Sequence, residues 1–403
     1  MARTKVTSRR PGGTARNAKM SKPRETPEEL YAAALQLVER SEPDAALEKA
    51  TSLFAQVKDR SPSQVLPAVN LLGEINVELG DVDKAREWFL HATRLDPEGK
   101  LPETVGGGAE KFLWLAQLCE EGGQESVKWF EKGVRALQAE IVALESGDAR
   151  PAVMDEEALL IARLEKKRKL ANALCAIVEV YMTDLSWEAD AEARCENLLT
   201  EAMTVEDEPS PEVLQTLASV RLSQDRKADA QAALTRSIDG WKDLEPEDPG
   251  VPDFPTRISL TRLLMEAEME EQAMTVLNRL ILEDDQSVEA WYLGGWCQHL
   301  QAERLKETTS TGTEGPDSER AQLVEDIMKG SRHWLKTSMK LYHLLEYEDD
   351  RLFDHANELV TGLDAVLGPE EEGEDAEGGD YEDEWDGISE EEGGEIDEEM
   401  KDV

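Results

Sequence analysis

The sequence predicts an all-α chain built as a stack of helical hairpins, and three observations carry that prediction. Strand signals are nearly absent. Runs such as Glu28 to Arg40, Val65 to Leu79, Ser126 to Ala143 and Val213 to Leu222 place apolar residues at i, i+3, i+4 and i+7, the spacing of one helix face. Small and large positions also recur with a period near 34 residues, as expected of a repeat array in which each unit buries its apolar face against the next.

The segment 66–99 shows the period best. Leu72-Gly73 is followed by Gly80, Ala85, Phe89, Ala92 and Pro97. This is the tetratricopeptide pattern of two antiparallel helices: small residues let the helices approach, large ones fill the gap, and the proline ends the second helix. In the preceding unit the second helix carries Ala50, Phe54 and Pro62, with the first helix displaced by a few residues. Leu113, Ser126, Phe130 and Gly133 fit a third unit in which Trp114 replaces the usual glycine. A fourth, about 165–207, keeps the character without the spacing. Leu214, Leu217-Ala218, Ala230, Leu234 and Ser237 mark a fifth, Leu260, Ala273 and Leu277 a sixth, and Trp291 and Gly295 a seventh. Insertions rich in Gly, Pro, Ser or Thr are expected at about 98–108, 144–157, 244–253 and 302–318, and a helix over about 349–366 is expected to cap the stack. The large aromatics Phe54, Phe89, Trp114, Trp129 and Phe130 are read as inter-helix packing residues.

Charge divides the 403-residue chain into three blocks. Residues 1–24 carry eight Lys or Arg and no acid, so a disordered basic tail is expected, either simply solvated or a nuclear-import signal. Residues 369–403 hold 19 acids against Lys401, and a disordered acidic tail is expected there too. With a +8 head and a −18 tail removed from the formal −44, the block 25–368 retains −34, so the repeat array is itself acidic. Such a surface repels a phosphate backbone, which argues against direct nucleic-acid binding. No apolar run reaches the roughly 18 to 20 residues of a membrane span, so no membrane partner is expected. The widely spaced Cys119, Cys175, Cys195 and Cys297 read as reduced, buried small hydrophobes.

Nothing in the sequence points to catalysis, a cofactor or a metal. His91, His299, His333, His343 and His355 form no H-E-x-x-H, and Cys297 and His299, two apart, face different sides of a helix. Gly106-Gly107-Gly108 lacks the Lys and Ser or Thr of a phosphate cradle and reads as a linker. Asp386-Gly387-Ile388-Ser389 has no EF-hand ligand spacing, and the acidic tail reads as a polyelectrolyte.

Several segments resemble one family. Glu110-Lys-Phe-Leu-Trp-Leu-Ala-Gln-Leu118, Ala173-Leu-Cys-Ala176 continuing to Val180-Tyr-Met-Thr-Asp-Leu185, Leu214 to Ser223 and Val288 to Cys297 together look like the fungal assembly chaperones dedicated to the fourth large-subunit ribosomal protein. The resemblance covers about 25–365. It implies a non-enzymatic escort, in cytoplasm and nucleus, that shields the basic rRNA-binding internal loop of that ribosomal protein and accompanies it to nuclear pre-ribosomes. The basic head would then suit a nuclear import receptor. Other readings are a co-chaperone that grips an acidic C-terminus and a scaffold subunit of a larger complex. The co-chaperone needs Lys, Arg and Asn on its groove wall, where this sequence offers mostly acids.

In tetratricopeptide arrays the groove is lined by first helices. Carrying that geometry onto the matched registers selects Asn70, Glu74 and Glu78 in the second unit, and Glu212 and Gln215 in the fifth. It selects Glu266 in the sixth and Glu289, Tyr292 and Trp296 in the seventh, while a looser alignment of the fourth adds Glu179. Carboxylates suit Arg and Lys of a basic client, and the two aromatics suit stacking on arginine or an apolar anchor.

Overall fold

The computed structural model describes residues 25–146, 156–310 and 318–368; the expected basic and acidic tails lie outside the described residues. Among the described residues there are fifteen α-helices, one 3₁₀ turn and no strand. They divide into a first compact unit ending at Pro252 and a second beginning at Asp253.

The first unit contains five hairpins in chain order: α1 (Pro27–Glu39) with α2 (Pro43–Val57), α3 (Pro62–Glu78) with α4 (Val82–Leu95), α5 (Glu110–Gln117) with α6 (Gly123–Ser146), α7 (Glu156–Met182) with α8 (Ala191–Val205), and α9 (Pro211–Ser223) with α10 (Lys227–Asp239). Local sequence explains where several of these begin. Thr26 and Glu29 form a reciprocal capping box at the start of α1, and Pro27, Pro43, Pro62 and Pro211 occupy first-turn positions where no amide donor is needed. Asp81 caps α4 by accepting from the Lys84 amide, and Gly80, at φ 71°, makes the left-handed turn after α3.

The repeat pattern is realised in the packing. A Cβ placed on Gly73 would lie 2.6 Å from the ring of Phe89, and one on Gly133 would lie 2.5 Å from Leu113. These glycines therefore set how closely their hairpins close. Trp114, which stands where a glycine is usual, turns to the preceding hairpin and stacks on Phe89 at 5.8 Å. Phe54 packs edge-on against Trp88 at 5.0 Å, Trp129 stacks with Phe112 at 6.4 Å, and Phe130 is buried, so the aromatics serve as packing residues.

The insertion between α4 and α5 is a structured turn. It contains the 3₁₀ segment Glu103–Val105 and is anchored by a buried ion pair, Lys111 Nζ to Asp96 Oδ2 at 2.9 Å. Asp96 also accepts from the Lys100 and Leu101 amides, and Lys111 donates to the Gly108 carbonyl. Gly106 and Gly108 have φ of 74° and 80°, and a Cβ on Gly107 would collide with Leu101. The Gly106 to Gly108 run is thus a tight turn pressed against α3, more specific than the linker expected of it.

The second unit holds α11 (Phe254–Glu266) with α12 (Glu270–Glu283), the longer pair α13 (Val288–Ser310) and α14 (Ser318–Leu344), and the terminal α15 (Asp350–Leu367). A Cβ on Gly294 would meet the Trp334 ring at 2.0 Å and one on Gly295 would meet Leu335 at 2.5 Å, so α13 and α14 pack almost backbone to side chain. Ser331 and Ser338, both buried on α14, donate to the Gly295 and Val288 carbonyls. α15 buries Leu352, Ala356, Val360 and Leu363 and exposes most of its other positions, as expected of a cap. Two expected insertions are shorter than the sequence suggests. α6 continues to Ser146 and α7 begins at Glu156, while α13 runs to Ser310 and α14 starts at Ser318. No glycine or proline interrupts residues 302–310, so helix propagation there meets no breaker. Cys175, Cys195 and Cys297 are buried thiols, with Cys119 partly covered, and all four are free.

Candidate client-binding surface

All ten residues selected from the repeat register lie on first helices of their hairpins: α3, α7, α9, α11 and α13. Their surroundings differ. In the first unit, Asn70 and Glu74 share the lining of a cavity of about 490 Å³ between α1, α2, α3 and the glycine turn. Asn70 Nδ2 donates to the Gly106 carbonyl at 2.8 Å, which fixes the amide, while its Oδ1 is buried with no hydrogen-bond partner. Glu74 has no ion-pair partner among the described residues. Glu74 is exposed as a residue, yet neighbouring protein displaces part of the water around its carboxyl, and the charges of Glu110 and Glu78 add to that effect, so its pKa is pushed up to about 7. Glu78 is exposed one turn further along α3.

Sequence reasoning missed the other members of this cavity. Tyr31 and Glu28 come from α1, and Glu103 and Glu110 come from the turn and α5. Glu110 is paired with Lys169 of α7, and Glu103 with Lys166 at 2.8 Å; Lys166 also reaches Glu140 at 2.6 Å. Burial and the Glu74 charge raise the Tyr31 phenol, and both side chains line the cavity. No local motif announces this grouping, because its members are up to 82 positions apart, from Glu28 to Glu110.

Further along the first unit, Glu179 on α7 and Glu212 on α9 both act on the buried Cys175 thiol. Burial pushes that thiol up to about 12, with Glu179, Glu212 and the unforeseen Glu206 adding to it against a Thr216 hydrogen bond. Glu179 is exposed as a residue, yet neighbouring protein displaces part of the water around its carboxyl and raises its pKa. Glu212 Oε2 and Glu206 Oε2 are buried without hydrogen-bond partners. Gln215 is itself buried beneath this surface, with its Nε2 unpartnered, so it presents little area to a client.

In the second unit, Glu266 is exposed at the end of α11. Glu289 is half-buried and forms an ion pair with Arg262 of α11, so this acid already has a cation. Tyr292 and Trp296 are ring neighbours at 5.8 Å and both pack on His355 of the cap helix; the Tyr292 hydroxyl lies 2.7 Å from His355 Nδ1. The two aromatics are thus partly used in holding α15, and both remain half-buried. Among the described residues no group of His, Cys, Asp and Glu is arranged to hold a metal ion, and no helix is long and apolar enough to cross a membrane.

Comparison with known proteins agrees with this architecture. The tetratricopeptide repeat model matches residues 66–98. A probable assembly chaperone of rpl4 from Emericella nidulans is 49% identical over 386 residues, covering 94% of this chain and 91% of the relative. One of the same description from Schizosaccharomyces pombe is 33% identical over 332 residues, covering 82% of this chain and 90% of that protein. A solved structure of the assembly chaperone of RpL4, Acl4, residues 1–338, superposes with a TM-score of 0.63 at 48% identity, covering 71% of this chain and all of that one. With such identity maintained along nearly the whole length, the chain belongs to the family of assembly chaperones of rpl4, built on tetratricopeptide repeats.

Proposed function

We propose that this chain is a dedicated chaperone of the fourth large-subunit ribosomal protein, binding and shielding its basic rRNA-binding loop and escorting the new protein to nuclear pre-ribosomes. The observation that carries the reading is family membership: relatives bearing that description align over nine-tenths of their own length. Physical chemistry supports it. A basic rRNA-binding segment has no folded partner before assembly, and its Lys and Arg side chains invite stray RNA contacts. First helices presenting Glu74, Glu78, Glu179 and Glu266 within a block of net charge −34 offer carboxylates in place of phosphates. The work is binding, with no bond made or broken.

The array is assigned to residues 25–368, with the basic head 1–24 as the segment a nuclear import receptor would read and the acidic 369–403 as a polyanionic tail. On this reading the protein works in both cytoplasm and nucleus. The test is affinity purification of the tagged chain from cells with mass spectrometry, followed by binding of the recombinant ribosomal protein with and without its internal loop. One ribosomal protein should dominate, at one-to-one stoichiometry and dependent on the loop. Recovery of several unrelated subunits in comparable amounts would instead identify a scaffold.

A further inference from the structure

We propose that the cleft bounded by the turn Pro97 to Thr104, α6 and α7 is a docking site for the chain's own acidic segment Tyr381 to Ile388, with Trp385 seated on its apolar lining and the segment's carboxylates set against Lys100, Lys132 and Arg135. The segment lies outside the described residues. The site stands apart from the client reading, because its cations repel a basic client.

The cleft departs from the rest of the array in charge and in polarity. Its volume of about 570 Å³ is ample for an indole ring. Apolar lining comes from Leu101 and Pro102 of the turn, Ala139, Ala143 and Leu144 of α6, and Ala162 of α7. All six are exposed or half-buried, so a ligand can reach them. Four cations and three acids line the cleft, within a block whose net charge is −34. Lys166 is held by Glu103 at 2.8 Å and Glu140 at 2.6 Å, which leaves Lys100, Lys132 and Arg135 with Glu98 as the cleft's remaining acid. Among the described residues Lys100 and Lys132 have no ion-pair partner; Lys132 Nζ lies over the Trp129 ring at 4.4 Å, and Arg135 is a loose 3.8 Å from Glu131. Lys132, Arg135, Ala139 and Ala143 fall at i, i+3, i+7 and i+11, so cations and apolar positions share one face of α6.

The tail carries a segment of matching character. Tyr381, Trp385 and Ile388 are spaced i, i+4 and i+7, the stripe of one helix face, and Glu382, Asp383, Glu384 and Asp386 stand among them. Aromatic and β-branched residues are scarce in segments that simply stay solvated, so a polyanion acting by charge alone has no use for these three. Seating the indole on the cleft removes its apolar area from water, and the flanking carboxylates meet cations that lack strong partners. Array and tail are both acidic, so their mean fields repel each other. At about 0.15 M salt the Debye length of about 8 Å confines that repulsion, and contacts made inside the cleft outweigh it.

The experiment is isothermal titration calorimetry on the full chain carrying Tyr381→Ser, Trp385→Ser and Ile388→Ser, whose tail no longer competes, with a blocked peptide of residues 377–392 as the probe. One peptide should bind per chain, and a peptide with the same three serines should bind at least about tenfold more weakly. Lys132→Glu with Arg135→Glu, and separately Ala139→Glu, should each weaken the peptide at least about tenfold in that chain. All three positions are exposed on α6, and circular dichroism verifies that helix content is kept. The wild-type chain, with its own segment in the cleft, should take up the peptide at least about threefold more weakly than the tail variant. Equal binding of the two peptides would reduce the effect to polyanion attraction and overturn the proposal. Unchanged affinity in both α6 variants would do the same. Equal uptake by the wild-type and tail-variant chains would also overturn it, leaving the cleft to a different acidic partner.

Discussion

Replacing Asp96 by alanine would remove the carboxylate paired with Lys111 and leave an ammonium in the interior. The side chains are 0% exposed for Lys111 and 5% for Asp96, so water cannot take over. Among the described residues the Gly108 carbonyl, 2.6 Å from Lys111 Nζ, and the Phe112 ring, 4.8 Å away, would be the partners left to the cation. Breaking one side of a buried pair typically costs about 3 to 5 kcal/mol. An independent bound comes from letting the lysine go neutral: at about 1.4 kcal/mol per pH unit, the roughly three units between pH 7.5 and lysine's ordinary value near 10.4 amount to about 4 kcal/mol. Loss of the acceptor for the Lys100 and Leu101 amides adds to the damage, because those bonds shape the turn that holds Gly106 against Asn70. We therefore expect Asp96→Ala to lose about 3 to 4 kcal/mol at pH 7.5 by urea unfolding of the full chain. The sign with pH is diagnostic. Burial already lowers the Lys111 pKa despite Asp96, and without the carboxylate the folded state would bind fewer protons than the unfolded one. Stability of the variant should then recover relative to wild type as pH rises from 7.5 to 9.5. Asp96→Ala with Lys111→Met should regain much of the loss, since an apolar pair replaces a lone charge. A single variant within about 1 kcal/mol of wild type would refute the view that this pair anchors the turn.

Four further outcomes rest on the same structure. Gly73→Ala should destabilise by about 1 to 3 kcal/mol in chemical unfolding, even though alanine gains about 1 kcal/mol in helix propensity, and Phe89→Leu in the same chain should recover part of it. Because the folded-state pKa of Glu74 is raised, its contribution disfavours the free chain above about pH 7 and vanishes as pH falls below its ordinary value; Glu74→Gln should therefore stabilise the free chain at pH 8 and lose that advantage near pH 4, read as the difference in unfolding midpoints. Affinity for the ribosomal protein should fall as salt rises, and a flat titration would exclude charge mimicry. Within the second unit, Glu266→Lys should weaken that binding with melting unchanged, whereas Glu289→Lys should also disturb the fold because it sets a lysine against Arg262.

The helices, their pairing into hairpins and the acidic character of the array are legible in the sequence alone. Helical apolar spacing and the places where only glycine or alanine fits, such as Gly73 opposite Phe89 and Gly133 opposite Leu113, are properties of short windows. The choice of first helices as the carboxylate-bearing wall came from the geometry of tetratricopeptide arrays, carried onto that register. What the register could not supply was which of those carboxylates are already satisfied. Glu289 is held by Arg262, 27 positions away, and Tyr292 and Trp296 by His355 of the cap. Among the described residues Glu74 has no ion-pair partner, and Tyr31 and Glu110, which line the same cavity, come from two other helices. Side chains that far apart meet only through helix packing, and a carboxylate's charge state depends on the water excluded and the neighbours gathered there, so neither is written in local spacing. The turn at Gly106 to Gly108 teaches the same point: its composition reads as a linker, and its role as a wedge against α3 arises from Asp96, Lys111 and Asn70 converging in space.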